Sequence, residues 1–240
     1  MRRRVEEVMD SATAPDAAEA TNSSPSPEAL VHLVALVGGP GSGKTTVAEY
    51  LADRGFVVYS ISDIRRVAAL VSRVEPNDFE AMRTFTEDFY SERGRGVFAE
   101  YALKNIAARR PRRVVLEGLR YPESIEVTRN FCSREGWSAF CIGLRVTPDI
   151  AADRIAARGR VRDPQSPEII KSYALTAEQN SVAAFEHCDV VIANDQSIAE
   201  LLMQVDRLIP PELNTNELFS LDWAKRSGVN ADDNNRVTQI

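Results

Sequence analysis

The run VHLVALV at 31–37 passes without a break into GGPGSGKTT at 38–46. Bulky aliphatic residues with almost no polar interruption read as a strand buried on both faces. Four glycines in six positions, Gly38, Gly39, Gly41 and Gly43, cannot prolong it. The following TTVAEYLADR restores a helical period. A doubly buried strand that turns sharply into a helix needs helices on both faces of a parallel sheet, and this junction restricts the chain to an α/β fold.

The remainder keeps the alternation. Further strand-like runs are FVVYS (56–60), RVVLEG (113–118), AFCIGLRV (139–146) and DVVIAN (189–194). Helical patterns separate them: DIRRVAALVSR, a long stretch from Asp78 to Arg109, PESIEVTRNFCSRE, PDIAADRIAARG, a segment over 167–186 and SIAELLMQVDRLI. Five strands and their crossover helices predict three layers around a five-stranded parallel sheet. Ligands in such sheets sit beyond the carboxyl ends of the strands.

The first junction is a complete P-loop, Gly38-x-x-x-x-Gly43-Lys44-Thr45. Its glycines let successive backbone N–H groups turn inward on phosphate oxygens, and the helix behind adds its positive end. Gly39, Pro40, Gly41, Ser42, Gly43, Lys44, Thr45 and Thr46 are therefore the expected nucleotide-binding residues. Lys44 is expected on the β- and γ-phosphates and the Thr45 hydroxyl on Mg²⁺. ATP and Mg²⁺ are the cofactors this predicts. The guanine-reading Asn-Lys-x-Asp pattern of GTPases is missing from the late strand end, which reads Asn194-Asp195-Gln196-Ser197.

Three later stretches carry charge to the same edge. VVYSISDIRR places Asp63 and Arg66 after the second strand, and LEGLRYPES places Glu117 and Arg120 at the end of the third. DRIAARGRVRDP sets Arg154, Arg158, Arg160 and Arg162 within nine residues. Arg154 and Arg158, four apart, share a helix face. These stretches resemble the adenylate-kinase-like P-loop kinases. The resemblance is closest to a small archaeal and bacterial group of dephospho-CoA-kinase-like proteins. Their Asp-Gly-x-Arg-x-Pro-Glu is matched here by Glu117-Gly118-Leu119-Arg120-Tyr121-Pro122-Glu123, and their Arg-Gly-Arg-x-x-Asp-Pro by Arg158 to Pro164. The end of the domain, DVVIANDQSIAELLMQVDRLI, also looks like the end of dephospho-CoA kinases.

The resemblance implies a P-loop NTPase fold over 29–209 with a short arginine-rich lid at about 158–166. It implies transfer of the γ-phosphate of ATP to a small nucleotide, a nucleoside monophosphate first and dephospho-CoA second. Arg154 would lie against the base of ATP and Arg158 on its phosphates, with Arg162 joining from the lid. Arg66 and Arg120, together with Gly118 and Glu117, would face the acceptor. Glu117 would also serve Mg²⁺ with Thr45. Asn194 closes its strand, and backbone beside it would read adenine. Asp63 would orient an acceptor hydroxyl or act only as a helix cap, and Arg65 is the more natural of its pair to form an ordinary salt bridge. Two positions depart from the pattern: Glu117 replaces Asp, and Ser62 stands where Gly precedes the Asp.

Composition narrows the rest. A net charge of -6 over 240 residues argues against a duplex-wide nucleic-acid footprint, and so against a kinase acting on a modified DNA base. RRPRR at 109–113 reads as a charged helix end entering a strand. Cys132, Cys141 and Cys188 form no paired motif, and His32 and His187 stand apart, so no zinc site is expected. Neither a membrane span nor a secretory leader is legible, which predicts a cytoplasmic monomer or homodimer. Residues 1–28 read as a disordered tail and 210–240 as a flexible or docking tail. An ATP-binding switch or scaffold is the rival from another class; it would need no second cation site.

Overall fold

The computed structural model describes residues 31–209. The two tails read from composition lie outside these residues. Five strands, β1 (His32–Val37), β2 (Val57–Ser60), β3 (Arg113–Leu119), β4 (Ser138–Arg145) and β5 (Val190–Ala193), form one sheet in the order β2-β3-β1-β4-β5. Every neighbouring pair is parallel. The helices are α1 (Lys44–Ala52), α2 (Ile61–Val71), α3 (Phe79–Arg93), α4 (Val97–Arg109), α5 (Pro122–Glu135), α6 (Pro148–Arg158), α7 (Pro167–Phe185) and α8 (Ile198–Leu208).

The alternation along β1 sorts its side chains onto two cores. Leu33, Ala35 and Val37 join Val114, Leu116, Phe98, Leu103 and Ile125 on one face. Val34 and Leu36 join Val47, Leu51, Val115, Ile142, Leu144 and Leu202 on the other. With β1 in the middle and covered from both sides, its carboxyl end is the fixed point of the domain.

The long helical stretch from Asp78 to Arg109 is divided. Gly94 takes a φ of 83°, ending α3, and α4 restarts at Val97. The break lets the two helices fold against each other through Phe89 and Phe98, stacked at 4.9 Å. Arg109 ends α4 and Arg113 begins β3, so the basic run joins a helix to a strand as its pattern predicts. Residues 159–166 form the connection between α6 and α7 where the lid is expected.

Among the described residues no helix is long and apolar enough to cross a membrane, and no group of three or more His, Cys, Asp or Glu side chains could hold a metal ion. Leu103 is fully buried in the middle of α4. Leu103→Ala is expected to lower unfolding stability by about 2–5 kcal/mol, read as a reduced urea midpoint with unchanged slope.

Candidate active site

The turn after β1 is packed against backbone on one side and against a side-chain amide on the other. Gly41 has a φ of 77°, and a methyl group there would stand 2.8 Å from the Ala151 carbonyl oxygen at the start of α6. Gly43 has a φ of 92°, and a methyl group there would stand 2.5 Å from the amide nitrogen of Asn194. That same amide donates to the Ser42 carbonyl at 3.0 Å, while the Asn194 N–H reaches back to Arg145 at 2.7 Å. The Asn194 side chain thus braces the loop from the end of β5. Sequence reading gave the residue to strand closure and its neighbouring backbone to adenine, and assigned no such brace.

Lys44 opens α1 and folds back over the turn, donating to the Gly39 carbonyl and, at 3.1 Å, to Ser42 Oγ. Burial pulls its ammonium down to about 7, and the positive charges of Arg120 and Arg158 add to that against the opposing pull of Glu117. Pro40 and Thr46 lie in the turn and the first helical turn beside it. Thr45 Oγ1 donates to Glu117 Oε2 at 3.3 Å, so the two residues expected on Mg²⁺ meet although 72 positions apart. Glu117 sits where β3 slips register against β1: Leu36 pairs with Glu117 and Val37 with Leu119, leaving Gly118 as the extra residue. Such a bulge re-aims side chains at a sheet end.

Arg154 and Arg158 both stem from the last turns of α6. Arg154 donates to the carbonyls of Gly41 and Gln196 at 3.3 and 3.4 Å, tying the loop to the segment after β5. Arg158 makes a two-point fork with Asp163 at 2.6 and 2.8 Å. Gln165 clasps the connection after α6 by donating to the carbonyls of Arg160 and Asp163. Asp163, nearly buried, has a signal in the sequence, since it is the acid five residues after the first lid arginine.

Asp63 and Arg66 pair with each other on the outer side of α2. The cap of α2 is Ser60, so Asp63 lies in the first turn and the helix-cap alternative does not hold. Arg66 feels Arg162 and Arg160 of the connection after α6 as well as Glu117, and burial followed by those two positive charges keeps its guanidinium below its ordinary value. Arg65, not Arg66, turns inward. Ile61, Arg65, Ala68 and Ala69 fall on one helical face, and Ile61, Ala68 and Ala69 are buried. That spacing was the available signal, and it corrects the expectation that Arg65 is the one in an ordinary salt bridge. Burial, then neighbouring Arg120, lowers the Arg65 guanidinium. Burial opposes the charge of Arg120, but Tyr173 of α7, then Tyr90 and Tyr121, hold its guanidinium above its ordinary value.

The arrangement therefore brings Lys44, Thr45, Glu117, Arg120 and Arg158 to one place, with Arg66, Arg160 and Arg162 facing one another beside it. Arg154 and Asn194 brace the opposite flank of the turn.

A family model described as AAA domain matches residues 34–172, more than half of the chain. A UPF0200 protein of Pyrobaculum aerophilum is 28% identical over 182 residues, covering 75% of this chain and 98% of the relative. A dephospho-CoA kinase of Fusobacterium nucleatum is 25% identical over 196 residues, covering 74% and 96%. Among solved structures, a proposed kinase from Chloroflexus aurantiacus shares the fold with 16% identity and a TM-score of 0.50, covering 75% of this chain and 99% of that one.

Lys44 is expected to titrate near 7 in the free protein, followed by its own ¹⁵Nζ or ¹³Cε resonance, while exposed lysines titrate about three units higher. Removing the largest neighbouring charge, with Arg120→Met, should move that midpoint upward. The sign for stability follows. The unfolded chain holds this proton up to about 10.5, so wild-type stability should rise with pH from about 7 upward relative to Lys44→Met.

Proposed function

The chain belongs to the AAA domain family that matches it, and on that premise we propose an ATP- and Mg²⁺-dependent phosphotransferase. It moves the γ-phosphate of ATP to a small nucleotide acceptor, a nucleoside monophosphate. The carrying observation is that positive charge reaches Lys44 from two directions, from Arg158 on the lid side and from Arg120 at the end of β3. A hydrolytic switch has use for the first set alone. An enzyme that joins two anionic substrates needs both.

Thr45 and Glu117 supply a hydroxyl and a carboxylate within 3.3 Å, hard oxygen donors of the kind Mg²⁺ takes. They would hold the ion, which when bound neutralises charge on the β- and γ-phosphates. The turn from Gly39 to Gly43 would bind the triphosphate through its N–H groups. Lys44 would exchange the Gly39 carbonyl for phosphate oxygen, an exchange that returns a full charge to an amine held near neutrality. Arg160 and Arg162 would close from the lid and exclude water from the transferring group. Asp63, exposed and held by Arg66, would orient an acceptor hydroxyl, a task that falls away where the acceptor atom is already a phosphate oxygen. Little covalent help is required, because phosphoryl transfer depends on alignment and charge.

Dephospho-CoA is the second acceptor, favoured by the relative that carries that name. The paired Asp-x-Asp expected after the second strand of such enzymes is missing, as that segment reads Ser60-Ile61-Ser62-Asp63.

With Mg-ATP present, ADP release should rise above the hydrolysis background for at least one member of a panel of nucleoside monophosphates, their deoxy forms and dephospho-CoA. A flat response across the panel defeats the proposal. Lys44→Ala should abolish the response without unfolding the protein. Glu117→Gln should lower Mg²⁺-dependent turnover by about 10–100-fold while binding of an ATP analogue in metal-free buffer stays close to wild type.

A further inference from the structure

Cys141 in β4 and Cys188 after α7 are 47 positions apart in the chain, and the fold sets their sulfurs 3.5 Å from each other. Both are free thiols, Cys141 buried and Cys188 half-buried. The approach is held by contacts that do not involve sulfur. The Asp189 N–H donates to the Cys141 carbonyl at 2.9 Å, and the Cys141 N–H donates to the Asp189 carboxylate at 2.7 Å. Arg129 of α5 fastens the other side, donating to the His187 carbonyl at 3.0 Å and to Asp189 at 2.9 Å. Cys188 therefore lies between two residues that are both tied down. Gly143, two residues beyond Cys141 on the same face of β4, leaves room for the second sulfur: a methyl group there would stand 3.3 Å from Cys188 Sγ.

The two thiols differ in character. Cys141 donates its hydrogen to Cys188 Sγ, which in turn donates weakly to the Ala184 carbonyl at 3.5 Å. The bond from Cys141 holds the Cys188 thiol below its ordinary value against burial and Asp189, with the charge of Arg129 assisting. That same bond, then burial, keeps Cys141 well above. Cys188 is also the more accessible of the two, so it is the one to meet an oxidant and Cys141 the one to resolve. A disulfide needs the sulfurs at about 2.0 Å, which asks for a closure of about 1.5 Å inside a frame that is already fixed. Cys132, the third cysteine of the chain, is buried in the same core and has no such route to solvent.

We infer that Cys141 and Cys188 form a reversible dithiol–disulfide site, a redox clamp between β4 and the turn from which β5 leads to the Asn194 brace. With a small disulfide as the oxidant, the Cys188 thiolate attacks one of its sulfurs, bonds to it and releases the other as a thiolate. Cys141 then gives up its proton, and its sulfur attacks Cys188 Sγ and expels the second small thiolate. Two electrons pass from the protein to the small disulfide, and the two protons leave with the two thiols it becomes. The inference stands apart from the phosphotransfer reading.

The test equilibrates the full chain in glutathione buffers of rising disulfide-to-thiol ratio, quenches in acid, blocks free thiols with a maleimide and maps the digest by mass spectrometry. The expected product is an intramolecular Cys141–Cys188 bridge, lighter by two hydrogens, with Cys132 blocked; dithiothreitol should restore all three thiols. Cys141→Ser should stop at a glutathione mixed disulfide on Cys188, and Cys188→Ser should leave Cys141 unreacted. Oxidised wild type should unfold at a higher urea midpoint than reduced wild type. The mapping and the midpoint need no variant to fold. Three free thiols in excess glutathione disulfide overturn the inference, as does a bridge that uses Cys132 or a mixed disulfide that persists on wild-type Cys188. An oxidised midpoint no higher than the reduced one overturns the clamp.

Discussion

The turn that follows β1 is held by its neighbours, and the rest of the edge takes its position from it. Its Ser42 carbonyl receives the Asn194 amide at 3.0 Å, its Gly41 carbonyl receives Arg154 at 3.3 Å, and the Gly38 N–H reaches the Leu119 carbonyl at 3.1 Å. Those partners come from the ends of β5, α6 and β3, three elements far apart in sequence. Gly41 and Gly43 approach backbone and amide so closely that no side chain fits between. A turn held from outside, chiefly through its carbonyls, needs little rearrangement on binding, which is how preorganised electrostatic sites act.

Charge is distributed by the same logic. Away from the cleft, arginines find carboxylates: Arg54 with Asp206, Arg129 with Asp189 and Arg145 with Glu178. Within it, Arg66 and Arg158 also take carboxylates, Asp63 and Asp163, but Lys44 rests on a carbonyl and a hydroxyl, and Arg65 and Arg120 rest among phenols. A fold optimised for stability alone would pair or remove these cations, since sheltered charge without a counter-ion costs several kcal/mol by an order-of-magnitude reckoning. The two buried cores offset that cost, and the unbalanced charge is what the site has to offer an anion. The overall acidity of the chain makes the cleft a local exception.

Much of this was legible before any coordinates. Five apolar runs and a glycine-rich turn specify a parallel sheet because strand period, length and punctuation agree. Thr45, Glu117, Arg120 and Arg158 were legible because each falls at or beside the end of a strand or helix on the edge where such sheets gather their chemistry. The exchange of roles between Arg65 and Arg66 was harder. Adjacent helical residues point about 100° apart, and the outcome depends on which face meets the core. Ile61, Ala68 and Ala69 settle that face in favour of Arg65, but two alanines are a weak hydrophobic signal in a sequence. The Asn194 brace left no local trace at all, because its partner lies 152 residues away. The split at Gly94 was visible as Gly-Arg-Gly and was masked by helical composition on either side.

The connection after α6 illustrates how one pairing can hold an arginine without using up its charge. Asp163 engages Nε and Nη2 of Arg158, two of the three nitrogens of the guanidinium. The hydrogens on Nη1 are left to donate elsewhere. A carboxylate that binds an arginine from behind fixes the plane of the guanidinium and sets its direction, as outer partners do for metal-bound histidines. Gln165, fastened to Arg160 and Asp163 carbonyls, braces the loop that carries the fork. Val161, 80% exposed between Arg160 and Arg162, occupies the tip. The loop thus combines a hydrogen-bonded base, where Arg158 is held, with an exposed tip, where two arginines flank an apolar side chain.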